Sequence, residues 1–336
     1  MTVEWVLNPG AALGYLVDQI VGEPPAAVHP VAAYGRYADV LERRTYRDQR
    51  SAGVGFVALA VAPPVALGFV LRCVTGATAA AATVGAVSIA SRMLATEALA
   101  IADDLEHGDL DRARDRVVGL VGRNMATADY GEISRAVVES VAENTVDAVT
   151  ASMFWGVVAG APGVLMHRAV NTLDAMVGHR STHYRNFGWA AARLDDALNY
   201  VPARLTALAV VVVSPKRRRA VVSTVVRDAG THPSPNAGIV EAAFAASLGL
   251  RLGGVNRYGT RIERRPHLGD GRDPAPADIA PTVALAQRVD RLFASSIAVV
   301  AVATYLRRGV RTSRWPFARA RTTRRPVRAA DRRSTP

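Results

Sequence analysis

Cysteine and lysine are almost missing from this chain of 336 residues: each occurs once, as Cys73 and Lys216. A single cysteine excludes an intrachain disulfide and any thiolate metal cluster. The single lysine lies in SPKRRRA, not in a glycine-rich loop, so a Walker-type phosphate loop is excluded. A nucleotide bound here must be held by metal-bound carboxylates, arginines and backbone amides. Aromatics make up only 6% of the chain, and no run of strand alternation is long enough for a sheet domain. His167, His179 and His183 stand in no HExxH-like register, so they do not point to zinc. No internal repeat is visible. Nor is a cleavable signal peptide expected, because the N-terminus lacks a basic region and Asp18 interrupts its apolar stretch.

Charge is scarce in the body of the chain and abundant at its end. The formal net charge is +12, yet residues 307–336 hold eleven Arg and one Asp, leaving only about +2 for everything before them. The reading is one membrane-embedded domain over residues 1–306, followed by a basic, disordered, cytoplasmic tail over 307–336. The tail has no heptads, no Cys/His pairs and no aromatic-rich sheet, and it follows an apolar helix, so nucleic acid is not expected as a partner.

Long uncharged runs supply the fold class. Ser51–Leu71, Cys73–Ser91 and Ala148–Met166 each carry no charged residue over 19 residues or more, the length a membrane helix needs. Trp5–Val21, Ala197–Ser214 and Leu292–Leu306 are weaker candidates. Between them the chain reads as helix and loop, with a turn at His107–Asp109 and loops at Thr231–Gly238 and Leu252–Gly271. The expected fold is therefore all-α, a polytopic integral membrane protein with lipid as its surroundings and a multi-pass place in the cell membrane. Basic clusters at Arg43–Arg50, Lys216–Arg219 and the tail should all be cytoplasmic. Full crossings at every candidate would put the tail outside. One candidate must then be re-entrant or interfacial, near Pro162 or in Leu292–Leu306.

Polar residues gather beside the third span. In VVESVAENTVDAV, Glu139, Glu143 and Asp147 are four residues apart with Asn144 among them, which places three carboxylates on one stripe of a helix. Such a stripe repels itself unless a cation sits in it, and Mg²⁺ suits oxygen ligands and phosphates. Further clusters are Asn171/Asp174, Asp195/Asp196/Asn199 and Ser234/Asn236, with Arg168, Arg193 and Arg204 interspersed. A lone helical acid is usually a solvated one; acids at a membrane edge, accompanied by asparagines, more often do chemistry. His29 precedes Pro30 and reads as a loop-shaping or substrate-contacting residue. Gly253–Gly254 reads as a backbone approach to a ligand or as an ordinary tight turn.

The motifs GYLVDQIVGEPPAAVHPVAAYGR, VGRN, VVESVAENTVDAV, RAVNTLDAMVG, YRNFGWAAARLDDALNYVPARLTA, HPSPNAGIVEAA and LGGVNRYG follow one another in this order. Together they resemble the adenosylcobinamide-phosphate synthase family of cobalamin biosynthesis (CobD/CbiB), over residues 14–269. The chain departs from that pattern at Glu23, Ser152, His167, His179 and Ile239. The resemblance implies a ligase that uses ATP and Mg²⁺ to join adenosylcobyric acid to aminopropanol or aminopropanol phosphate, alongside other corrinoid-pathway membrane enzymes. On that reading Glu139, Glu143, Asn144, Asp147 and Asp174 serve Mg²⁺, and Asp195 or Asp196 holds a second metal or acts as base. Arg168, Arg193 or Arg204 binds phosphate. His29, Asn171, Asn199, Ser234, Asn236, Gly253 and Gly254 contact substrate, all on the cytoplasmic side. The rivals are a Mg²⁺-dependent membrane prenyl- or phosphotransferase, for which DDALN has no second matching motif, and a corrinoid transporter or scaffold.

Overall fold

The computed structural model describes residues 8–24, 29–122, 124–179, 181–258 and 261–312. Twelve α-helices are described: α1 Gly10–Val21, α2 Pro30–Thr45, α3 Arg50–Thr75, α4 Ala77–Ser88, α5 Ser91–Glu106, α6 Leu110–Leu120, α7 Tyr130–Asn144, α8 Ala151–Leu173, α9 Trp189–Val213, α10 Arg218–Asp228, α11 Ala237–Leu248 and α12 Ile279–Thr312. Two strands, β1 Leu252–Tyr258 and β2 Arg261–Leu268, pair as an antiparallel hairpin. The expected all-α architecture is present. The loop expected over Leu252–Gly271 is instead this hairpin, which alternation over so short and arginine-rich a stretch did not signal. Five segments are long and apolar enough to cross a membrane: Arg50–Thr75, Ala77–Glu106, Tyr130–Gly178, Trp189–Val213 and Pro276–Arg307. The protein is a membrane protein.

α3 contains Pro63 and Pro64, and each proline leaves the carbonyl four residues earlier without its helical N–H. Those carbonyls belong to Leu59 and Ala60. Helix α2 supplies the missing donors: the Tyr37 hydroxyl donates to Leu59 O at 3.2 Å and the Tyr34 hydroxyl to Ala60 O at 3.4 Å. The proline-containing span and the helix beside it are thus matched group for group. At one end α2 is started by His29, whose Nδ1 accepts from Val31 N at 3.1 Å. Small residues bring α1 and α4 together: Gly10 lies on Thr78 and Ala81, Gly14 on Ala82 and Gly85, so the two helices run parallel in close contact.

The third span departs from a simple crossing. Gly160 adopts φ 67° and ψ −151°, outside helical space and accessible chiefly to glycine, and Pro162 follows it. The chain doubles back there. A Cβ on Gly163 would stand 2.5 Å from Trp155 O and 2.7 Å from Ala159 Cβ, which no straight helix permits. The break expected near Pro162 is therefore present, while the alternative, Leu292–Leu306, lies in one unbroken helix. The hairpin tip rests on Gly68 of α3.

The helices sort into two packed groups. α1, α3, α4, the α8 hairpin and the second half of α12 carry the exposed apolar surface, for example Leu67, Phe69, Val70, Val299 and Val302. The largest buried cluster lies elsewhere. It joins α5, α6, α7, the second half of α9, α10, α11 and the start of α12, around Ile101, Ile133, Val210, Phe244 and Val289. Helix α9 is apolar enough to span a membrane; one face of its second half packs into this group through Ala203, Ala207 and Val210, while Leu208 and Val212 stay exposed.

Candidate active site

Two π-helical turns, Thr145–Thr150 and Asp174–Gly178, interrupt the arms of the hairpin at the acidic residues. Each π turn shifts side chains off the regular 3.6-residue stripe, and such turns recur at functional sites. The stripe expected from VVESVAENTVDAV is split accordingly. Glu139 is buried and accepts from Gly253 N at 2.9 Å, with Arg135 Nε 3.9 Å away, so it ties α7 to β1. Asn144 turns back to Ser140 O at 2.9 Å. Glu143 and Asp147 alone of the four face the remaining acids.

The hairpin decides what Asp147 meets. A straight helix would separate Asp147 and Asn171 by about 36 Å. Instead Asn171 lies within hydrogen-bonding reach of Asp147, and Asp174, Asp195 and Glu143 are close enough to repel it. The start of α9 contributes Asp195, Asp196 and Asn199. The Asn199 amide Nδ2 donates to Asp147 Oδ1 and to Asp195 Oδ2, both at 3.1 Å. With both amide hydrogens used, its Oδ1 accepts from His167 Nε2 at 2.9 Å. This assigns the His167 proton to Nε2 and leaves Nδ1 buried without a partner. Asn199 and His167 form a buried floor, and half-buried Asp147, Asp174, Asp195 and Asp196 stand above it. Asp195 Oδ1 is buried and makes no hydrogen bond.

Cations border this group. Arg193 donates to Asp196 Oδ2 at 3.2 Å. Arg204 stacks on the Tyr200 ring at 3.3 Å and reaches Asn236 Oδ1 at 3.4 Å. Asn236 in turn donates to Asp196 O at 2.8 Å, which docks the turn before α11 beside the site. Ser234 Oγ accepts from the N–H groups of Asn236 and Ala237, so it shapes that turn. Gly253 and Gly254 have φ 85° and 92° and sit in the hairpin at a register shift, next to Glu139 and Arg135 rather than among the carboxylates. His29 Nε2 lies 3.4 Å from Glu23 Oε2. Burial, then the nearby Arg168, lowers the His29 pKa, while burial raises that of Glu23, so the contact is not a full ion pair at neutral pH.

Among the described residues no three His, Cys, Asp or Glu side chains converge closely enough to cage a metal. The donor set does suit an ion shared with a phosphate, for which one or two carboxylates suffice. Sequence reasoning overlooked the role of His167. Its spacing of i, i+4 to Asn171, just ahead of Arg168, could have flagged it.

The model of the family described as CobD/Cbib protein matches residues 11–286. The chain belongs to the CobD/CbiB family. Similar proteins, each named cobalamin biosynthesis protein CobD, come from several bacteria. That of Mycobacterium tuberculosis is 45% identical over 305 residues, covering 89% of this chain and 96% of its own. Those of Stutzerimonas stutzeri and Geobacter metallireducens are 44% and 40% identical, covering 77% and 78% of this chain and 86% of their own. A role in cobalamin biosynthesis follows from membership. No solved structure matches this CobD/CbiB chain.

Proposed function

We propose that this family member ligates adenosylcobyric acid to aminopropanol or aminopropanol phosphate at the expense of ATP. The observation that carries the reading is the pair Asp147 and Asp195 bridged by Asn171 and Asn199, with Asp174 close beside them. Amide formation in water requires an activated carboxylate. An oxygen of the corrinoid carboxylate attacks the terminal phosphorus of ATP, the bond to ADP breaks, and an acyl phosphate results. The amine nitrogen then attacks the acyl carbon, phosphate leaves, and the nitrogen gives up a proton.

Asp195 is the residue placed to take that proton, because its Oδ1 is buried and uncommitted while Asp196 is engaged by Arg193. Asp147 and Asp174 are the residues that would hold Mg²⁺, which supplies charge neutralisation for the phosphates when bound. Asn199 keeps the Asp147 and Asp195 carboxylates in fixed orientation, and buried His167 fixes Asn199. Arg204, held flat on Tyr200, and Arg193 offer guanidinium groups to phosphate oxygens. Glu139 holds the β-hairpin and takes no part in the chemistry.

Purified protein in lipid, supplied with adenosylcobyric acid, ATP, Mg²⁺ and either amine, should form amide and ADP in equal amounts. The amine that reacts faster identifies the physiological form. Corrinoid movement across a vesicle membrane with no amide formed would overturn the assignment and select the transporter.

A further inference from the structure

The start of α2, the two prolines of α3, the end of α4 and the returning arm of α8 enclose a cavity of about 300 Å³. Its wall is apolar, formed by Val31, Leu67, Val87, Leu165 and the rings of Tyr34 and Tyr37, whose hydroxyls are already committed to α3 carbonyls. Among the described residues one charged side chain reaches it, Arg168. Arg168 Nε is buried with no hydrogen-bond partner. Glu23 and Asp147 act on this guanidinium electrostatically, but among the described residues no carboxylate lies within ion-pair distance of it. A buried guanidinium nitrogen without a hydrogen-bond acceptor beside an apolar cavity is costly unless an anion completes it.

Position identifies the source of that anion. The cavity opens beside exposed Leu67 on α3, a helix long and apolar enough to span a membrane. Arg168 lies about one and a half turns before the end of α8, close enough to Asp147 to feel its charge, whereas the wall at Leu67 lies toward the hairpin tip beside Gly68. A charged group at one end and an apolar slot running inward from it match an amphiphile standing upright in a bilayer leaflet. A free aqueous anion could pair with Arg168 but would leave the apolar wall uncovered.

We propose that this cavity binds an anionic membrane lipid, with an acyl chain between α2, α3 and α8 and a headgroup phosphate oxygen on Arg168. The site is separate from the ligase reading and does not depend on it. Dioctanoyl-phosphatidylglycerol and dioctanoyl-phosphatidylcholine, alike except in headgroup charge, are titrated onto the detergent-purified protein and followed by native mass spectrometry. The wild type should prefer the anionic lipid at least about tenfold. Arg168→Gln should remove the preference while keeping chain binding, and Leu67→Trp, which fills the slot from its exposed edge, should weaken both lipids. Equal retention of the two lipids by the wild type would overturn the proposal. So would a preference that survives Arg168→Gln, or binding unchanged by Leu67→Trp. A matching melting temperature for each variant shows that the change is not misfolding.

Discussion

At the scale of single residues, neighbouring acids of one motif separate into different tasks. Asp195→Asn removes the uncommitted carboxylate oxygen but keeps the shape and the contact with Asn199. Amide formation should fall about 100- to 10,000-fold, the range for loss of a general base, with little change in melting temperature. Glu139→Ala should behave in the opposite way. It deletes the acceptor for Gly253 N and should cost about 2 kcal/mol of stability while activity per folded molecule is kept. Thermal denaturation in detergent, run beside the ligation assay, measures both. Equal activity losses in the two variants would contradict the division. The tyrosines of α2 offer a second residue-scale test. Tyr34→Phe and Tyr37→Phe each strip a donor from a carbonyl that a proline has left open, and each should cost about 1 kcal/mol. In an α3 where Pro63 and Pro64 are both Ala, the helix recovers its own N–H donors and the same substitutions should cost almost nothing.

At the scale of elements, the α8 hairpin and the α10–β2 junction carry the most specific consequences. Gly160 is the pivot that returns the chain to Asp147. Gly160→Ala forces a side chain into a left-handed conformation and should cost about 1–3 kcal/mol, with loss of activity because Asn171 and Asp174 shift relative to Asp147. The junction is pH-sensitive. Asp228 accepts two hydrogen bonds from Arg227, at 2.6 and 2.8 Å, and one from Gly269 N at 2.9 Å. The Arg227 bonds lower its pKa against the opposing effect of burial. A carboxylate whose folded pKa is lowered stabilises the fold above its ordinary titration range, and that contribution is lost as pH falls through the folded value. Melting temperature should therefore drop below about pH 4, and Asp228→Asn, already lacking the charge, should show a shallower drop over the same window.

At the scale of the whole molecule, the packing of α9 changes the orientation argument. Counted by hydropathy, Ala197–Ser214 is a crossing; packed, one face of its second half joins α10, α11 and α12, while Leu208 and Val212 stay exposed. If the second half of α9 stays out of the membrane, Lys216–Arg219 lies on the side of the Asp147 group, to which the hairpin also returns its second arm. Cys73, exposed near the far end of α3, should react with a membrane-impermeant maleimide from the side opposite to Thr182→Cys and Arg218→Cys placed in a Cys73→Ser background. Labelling of Arg218→Cys from the same side as Cys73 would restore α9 as a crossing. The tail from residue 313 lies outside the described residues.

Much of this was legible in the chain itself, because it rests on local chemistry. The uncharged runs Ser51–Leu71 and Ala148–Met166 fall in span-length segments, Pro162 marks the break, and His107–Asp109 separates α5 from α6 where the turn residues predict. Cys73–Ser91 instead is cut at Gly76 and Ile89, and the span-length segment there runs Ala77–Glu106. The clustering of acids with asparagines indicates where the site lies, since few other arrangements tolerate that charge beside a membrane segment. Which acids meet was not legible. A helical wheel groups Glu139 with Asp147, but a π turn between them and a reversal at Gly160 exchange Glu139 for Asp174 and Asp195. Periodicity reports the face of one regular helix only; it carries no information on a helix that changes pitch or turns back. That Arg168 also borders an apolar cavity was likewise not legible, because the cavity is assembled from four separate helices. Composition and spacing thus determine a helical membrane protein with a carboxylate site, because burial energies act on each segment separately. Tertiary structure alone decides which carboxylates share it, because their juxtaposition depends on contacts between segments far apart in the chain.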